Sequence, residues 1–168
     1  MTGTVRISTA RGTLNRELVL AAALGLADEQ GLEALTMRRI GQRLGVEGMS
    51  LYRHVADKSD LLDGLIDLLY SRIELEPPGM ARRSWLRARA VAVHRALVAH
   101  PWATALMESR VAPGPSVLAH HEAVLLVLLR SGFDAATATR AYNLLDSYIY
   151  GFAIQQPNGR FACWIAKP

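Results

Sequence analysis

With 168 residues the chain is long enough to bury a core, and 51% of it is hydrophobic, with Leu and Ala well ahead of β-branched and aromatic types, which favours helices over strands. A formal charge of +4 permits an anionic partner without requiring one. The single cysteine, Cys163, excludes an internal disulfide, no Cys/His spacing suits zinc, residues 1–14 lack the apolar stretch of a signal peptide, and the longest apolar runs, 18–27 and 123–129, fall short of the roughly 18 residues of a membrane span, so a soluble protein of the reducing cytoplasm is expected.

Along the chain, Leu18, Val19, Ala22, Ala23, Leu26 and Ala27 recur at three- and four-residue steps, which places them on one face of a helix that Asn15 caps and Gly31 stops. Thr36 opens a second helix of about two turns, with Met37, Ile40, Gly41 and Leu44 at helical spacing and Gly45 ready to turn with positive φ. Another short helix is predicted over 50–55. Asp57, with Asp60 three residues on, starts a longer amphipathic helix over 58–73. Pro77, Pro78 and Gly79 mark a hinge. Beyond it, helices are predicted over 81–99, 102–109, 115–131 and 134–156, joined by the short connectors of a helical bundle. The domains expected are a basic arm over 1–14, a small helical head over 15–57, a linking helix over 58–76 and a helical body over 80–168.

The stretch from Leu35 to Val55 carries the function. Two short helices can cross steeply only where a small residue lies at their contact and a tight turn joins them, and Gly41 and Gly45 suit those places. Ile40, Leu44, Val46, Leu51 and Val55 would then face the helix that begins at Asn15, while Met49, Ser50, Arg53 and His54 face outward. That is the layout of a helix-turn-helix, whose second helix enters the major groove. Residues 36–58 hold Arg38, Arg39, Arg43, Arg53 and Lys58 against Glu47 and Asp57, so positive charge gathers where phosphates would lie.

Residues 15–70, with the runs Ser50-Leu-Tyr-Arg-His-Val55 and Asp57-Lys-Ser-Asp-Leu-Leu62, resemble the DNA-binding domain of the tetracycline-repressor family. The resemblance implies an all-α fold, a three-helix head on a helical body, a homodimer reading a palindromic operator in double-stranded DNA, and a small molecule that releases the DNA by moving the linking helix. It places Thr36 on the DNA backbone and Arg38 on a base. Tyr52, His54 and Lys58 fall on phosphate-contacting positions, and Gly48, Met49, Ser50 and Arg53 on base-facing ones. Hydroxyl, imidazole and ammonium donors suit phosphate oxygens, and Arg can grip guanine with two bonds. Two of these side chains have plainer readings: Tyr52 as a cover for the edge of the small core, His54 as a solvated histidine. Arg53 could also grip a phosphate. Arg6, Arg11 and Arg16 form either a minor-groove arm or a disordered tail.

The body resembles the family more loosely, through the stretches 85–101, 132–134 and 141–152. Trp85, His94, Trp102, Met107, Tyr142 and Asp146 are the candidates for a pocket that takes a hydrophobic or amphipathic effector, with plain packing as the alternative for each. His120-His121-Glu122 is no metal site, since adjacent helical residues point about 100° apart, and no cofactor is expected. An apolar row of Leu145, Tyr148, Ile149 and Phe152 predicts dimerisation through the helix 134–156. The stretch 157–168 is too short for a second long helix, which implies either a reduced body or a shortened product. No nucleophile–base pairing suggests an enzyme. The competing function is a helical carrier of small molecules whose head no longer regulates transcription.

Overall fold

The computed structural model describes residues 14–75, 79–108 and 113–155, and every regular element among them is helical. The chain divides into two compact units between Leu61 and Leu62. The predicted basic arm, the prolines of the predicted hinge, and the stretch 156–168 with Cys163 lie outside the described residues.

In the first unit α1 (Arg16–Gln30) begins where the Asn15 side chain accepts the Leu18 amide at 2.8 Å, and it ends at Gly31, φ 77°. Its buried stripe holds Val19, Leu20, Ala23, Leu24, Leu26 and Ala27, so the expected face is rotated: Leu18 is exposed, Ala22 half-buried, and Leu20 and Leu24 lie inside. A stripe this wide lets one helix pack on several neighbours, and counting from Leu18 misses its far edge. After a 3-10 turn at Leu32–Ala34 comes α2 (Met37–Leu44), capped by Thr36 Oγ1 on the Arg39 amide at 3.2 Å.

Gly45 then takes the left-handed conformation, φ 72°, and the Val46 amide returns to the Gly41 carbonyl at 2.9 Å. A Cβ on Gly41 would stand 2.7 Å from the Val46 carbonyl oxygen and 3.0 Å from the Gly48 nitrogen. The absence of a side chain there is what lets the next element approach. That element, the short helix expected over 50–55, is a 3-10 helix over Gly48–Arg53, two residues earlier than expected. The Ser50 and His54 amides reach back three residues, to Glu47 and Leu51, and the Ser50 hydroxyl donates to the same Glu47 carbonyl at 2.6 Å, which holds the coil tight. Leu35, Ile40, Leu51 and Val55 are buried almost completely, with Leu44 and Val46 half-buried at the rim. Helix α3 (Lys58–Ser71) starts with a paired cap: Asp57 Oδ1 accepts the Asp60 amide at 2.8 Å, and Asp60 Oδ2 accepts the Ala56 amide at 2.7 Å.

The second unit contains the rest of α3, α4 (Arg82–Ala99), α5 (Trp102–Glu108), α6 (Pro115–Arg130) and α7 (Ala135–Gln155), with α7 packed on α4 and α6. All four predicted body helices are present within a few residues of their expected ends. Trp85, Val124, Leu128 and Ala138 form one apolar cluster, flanked by Leu86, Phe133 and Tyr142. The start of α6 has no cap of its own. Asp67 of α3 supplies one, its Oδ1 accepting the Ser116 amide at 2.7 Å and its Oδ2 the Ser116 hydroxyl at 3.1 Å.

Candidate functional site

On the first unit the turn after α2 pushes a short polar ridge outward. Met49 is 77% exposed and Tyr52 47% exposed, with Arg53 exposed beside them and Ser50 and His54 half-buried. Tyr52 thus leaves about half of its side chain open to an outside partner. Thr36 and Arg38 are exposed at the start of α2, and Lys58 is exposed at the start of α3. Gly48 has a specific role in this packing: a Cβ there would meet the Met37 carbonyl oxygen at 3.1 Å and the Arg38 Cα at 3.2 Å. Its bare backbone seats the ridge against α2.

The basic residues sort into two groups. Arg43 is bidentate to Glu29 at 2.6 and 2.8 Å, and Arg39 bonds Gln30, so both brace α2 against α1. Arg16 reaches Asp60 at 2.5 and 2.8 Å and the His54 carbonyl at 2.9 Å. These bonds raise the Arg16 pKa and hold the Asp60 carboxyl below its ordinary value, both through the hydrogen bond between them. Arg16 is thus a clamp on the end of the ridge and no part of an arm. Arg38, Arg53 and Lys58 form no ion pair among the described residues. Three cations stay available on one small unit.

The second unit buries a different kind of chemistry. Arg89, 3% exposed, is bidentate to Asp146, 4% exposed, through a short Nη1 contact to Oδ1 and a 3.2 Å Nη2 contact to Oδ2. The Tyr150 hydroxyl donates to Asp146 Oδ2 at 3.1 Å and stands 3.0 Å from the Tyr70 hydroxyl. Burial pushes the Tyr70, Tyr142 and Tyr150 hydroxyls above the usual range. For Arg89, burial works downward but the bonds to Asp146 override it, so the guanidinium stays charged. Burial, and then Arg89, lower the His120 pKa.

Asp146, Trp85 and Trp102 are buried; His94, Met107 and Tyr142 are half-buried. Tyr142 stacks on His121 with ring centroids 4.0 Å apart, His94 lies against Phe152 at 5.1 Å, and the Met107 sulfur accepts from Tyr70 at 3.8 Å. His120 meets Tyr70 edge-on, so the two adjacent histidines serve different rings. The predicted apolar row on α7 needs correction: Ile149 is buried and Leu145 half-buried, while Leu144, Tyr148 and Phe152 are the exposed set, at four-residue spacing.

Residues 19–65 match the model of the bacterial regulatory proteins of the tetR family, and residues 79–163 that of the tetracyclin repressor-like C-terminal domain, which alone spans half the chain. The chain belongs to the tetracycline-repressor family. It is 36% identical over 148 residues to the HTH-type transcriptional repressor DrrR1 of Streptomyces coeruleorubidus, covering 86% of this chain and 54% of that one. An HTH-type transcriptional regulator of Saccharopolyspora erythraea is 33% identical, over 86% of this chain and 61% of its own length. The chain thus spans little more than half of these relatives. Among solved structures, ActR of Streptomyces coelicolor in complex with actinorhodin superposes with a TM-score of 0.79 at 28% identity, over 86% of this chain and 68% of that one. BioQ with its double-stranded DNA operator does so at 0.75 and 25% identity, over 90% and 92%.

For this member of the tetracycline-repressor family, sequence reasoning found the outward ridge, assigned Arg16 to an arm or tail where it clamps Asp60, and missed Arg89, Tyr70 and Tyr150. One signal for Arg89 was present, since an arginine within an otherwise apolar helical stripe, 85, 89, 93, 97, demands a buried partner. Nothing in the sequence singles out Asp146 as that partner.

Proposed function

We propose that the chain acts as a transcriptional repressor that binds a palindromic operator as a homodimer and leaves it when a small molecule binds the second unit. One observation carries the DNA-binding half of this reading: among the described residues Arg38, Arg53 and Lys58 form no ion pair around an exposed ridge, while the neighbouring Arg16, Arg39 and Arg43 are spent on internal bonds. Cations left free at this density suit phosphate oxygens and guanine edges. BioQ, bound to an operator, and ActR, bound to actinorhodin, share the fold and support both halves. Dimerisation rests on the exposed Leu144, Tyr148 and Phe152 of α7, an apolar row that water covers poorly.

Selection of binding sites from random DNA duplexes tests the reading, with a palindrome as the expected result. Lys58→Ala should weaken specific and random DNA alike and reduce the log–log salt slope by about one. Arg53→Ala should cost about 1–3 kcal/mol at the selected site only and relax one base position in each half-site. No selective enrichment at low salt would leave the carrier reading, in which the second unit binds small molecules and the first regulates nothing.

A further inference from the structure

The side chains of Arg16 and Asp60 staple the end of the exposed ridge to the start of α3, and the role inferred for them rests on the DNA-binding half of the function proposed above. Arg53, the proposed base reader, ends the 3-10 helix, and Lys58, the proposed phosphate contact, opens α3. Residues 54–57 between them belong to no regular element, so no helical ladder fixes how far apart, or at what angle, the two cations stand.

Side chains supply the missing bonds. Arg16 Nη1 donates to the His54 carbonyl at 2.9 Å and to Asp60 Oδ2 at 2.8 Å, while Nη2 donates to Asp60 Oδ1 at 2.5 Å. Asp60 Oδ2 also accepts the Ala56 amide at 2.7 Å. The link is thus gripped twice, by its carbonyl at 54 and by its amide at 56, and the two gripping side chains are bonded to each other, which closes a ring. The rigid guanidinium fork serves carboxylate and carbonyl at once, and a lysine ammonium has no such fork.

The pair is a poor device for stability. The Arg16 and Asp60 side chains are 44% and 32% exposed, so water competes for both. Arg16 is also the first residue of α1, where a cation opposes the helix dipole. What the ring holds well is geometry.

We infer that Arg16 and Asp60 are positioning residues for operator recognition, setting the spacing of Arg53 and Lys58 that one DNA sequence matches. Neither touches the DNA. A duplex of arbitrary sequence is held through its phosphates alone and tolerates a looser link, so loss of the ring separates specific from non-specific binding.

The test uses the full chain with Arg16→Lys, which keeps the charge and loses the fork, and Asp60→Asn, which keeps the shape and loses the charge. Fluorescence anisotropy is read on the selected operator and on a random duplex across a salt series. Each variant should bind the operator about tenfold more weakly, the size of one mismatched base pair, and the random duplex at least about half as tightly as the parent. Arg16→Lys should leave the salt slope unchanged. The double variant should be no weaker than the worse single one, because one ring carries both effects. Weaker random binding with a slope reduced by about one would make Arg16 a phosphate contact and overturn the inference. Additive losses, or operator affinity within about twofold of the parent in both variants, would overturn it as well. Amide exchange read by NMR needs no DNA: Arg16→Lys should speed exchange at Ala56 about tenfold while Ile40 and Val46, bonded within the α2 turn, keep their rates. Faster exchange at all three with equal losses on both duplexes would reduce the pair to a structural one and overturn its positioning role. Faster exchange at Ala56 alone, in a chain that selects no operator, would keep the staple but overturn both its part in recognition and the DNA-binding reading. Unchanged exchange at Ala56 would overturn the staple whatever the chain binds.

Discussion

The two units solve opposite electrostatic problems. In the first, charge is kept at the surface over a small core of Leu35, Ile40, Leu51 and Val55, and its ion pairs, Arg16–Asp60 and Arg43–Glu29, are all partly solvated. In the second, an arginine and an aspartate are sealed in the interior with three tyrosines around them. Surface pairs can be lost at little cost and leave cations free to meet an external anion, whereas a buried pair must stay whole or the unit fails. The contrast suits the proposed division of labour, in which the first unit meets DNA and the second a small molecule.

Four changes should sharpen or break this contrast. The largest effect belongs to Asp146→Ala, which strands a buried guanidinium and should cost about 3–5 kcal/mol in urea denaturation; Arg89→Leu with Asp146→Leu together should recover much of that loss. Gly41→Ala should cost about 1–3 kcal/mol, because its Cβ meets backbone atoms that cannot swing aside as a side chain can; an unchanged stability would show that the α2 crossing is not limited by Gly41. The third effect is a dependence on pH. Because His120 has its folded pKa held below 6.5, the unfolded chain binds more protons in that range, so stability should be full above pH 6.5 and fall as pH drops toward the depressed value. His120→Gln should flatten that part of the profile. The smallest effect should be that of Asp60→Asn, which removes a solvated pair worth about 0.2–1 kcal/mol and should leave urea stability nearly unchanged; a loss as large as that of Asp146→Ala would erase the distinction between the units.

Helices were legible wherever caps and breakers agree with periodicity: Asn15, Gly31, Thr36, Gly45 and Asp57 each stand at the end the sequence implies. What the pattern could not supply was the phase of a wide stripe, as at Leu18 and Leu20, or the tight coil of Gly48–Arg53, which depends on three-residue bonds around Glu47. The outward ridge was readable because exposure within a two-turn element follows from where its glycines sit. Pairings such as Arg16 with Asp60 and Arg89 with Asp146 join residues 44 and 57 positions apart, and no local rule selects among the available acids at that range.

The cap that Asp67 lends to α6 has a mechanical consequence. A helix that carries its own cap can shift as an independent rod, but α6 takes the oxygens for its Ser116 and Val117 amides from a side chain on α3. Sliding α3 by one turn, about 5.4 Å, would carry those oxygens out of reach and leave the amides bare at the positive end of the α6 dipole. The contact works as a detent: α3 has one seat on α6 where the latch closes, and partial displacements lose the latch without gaining another.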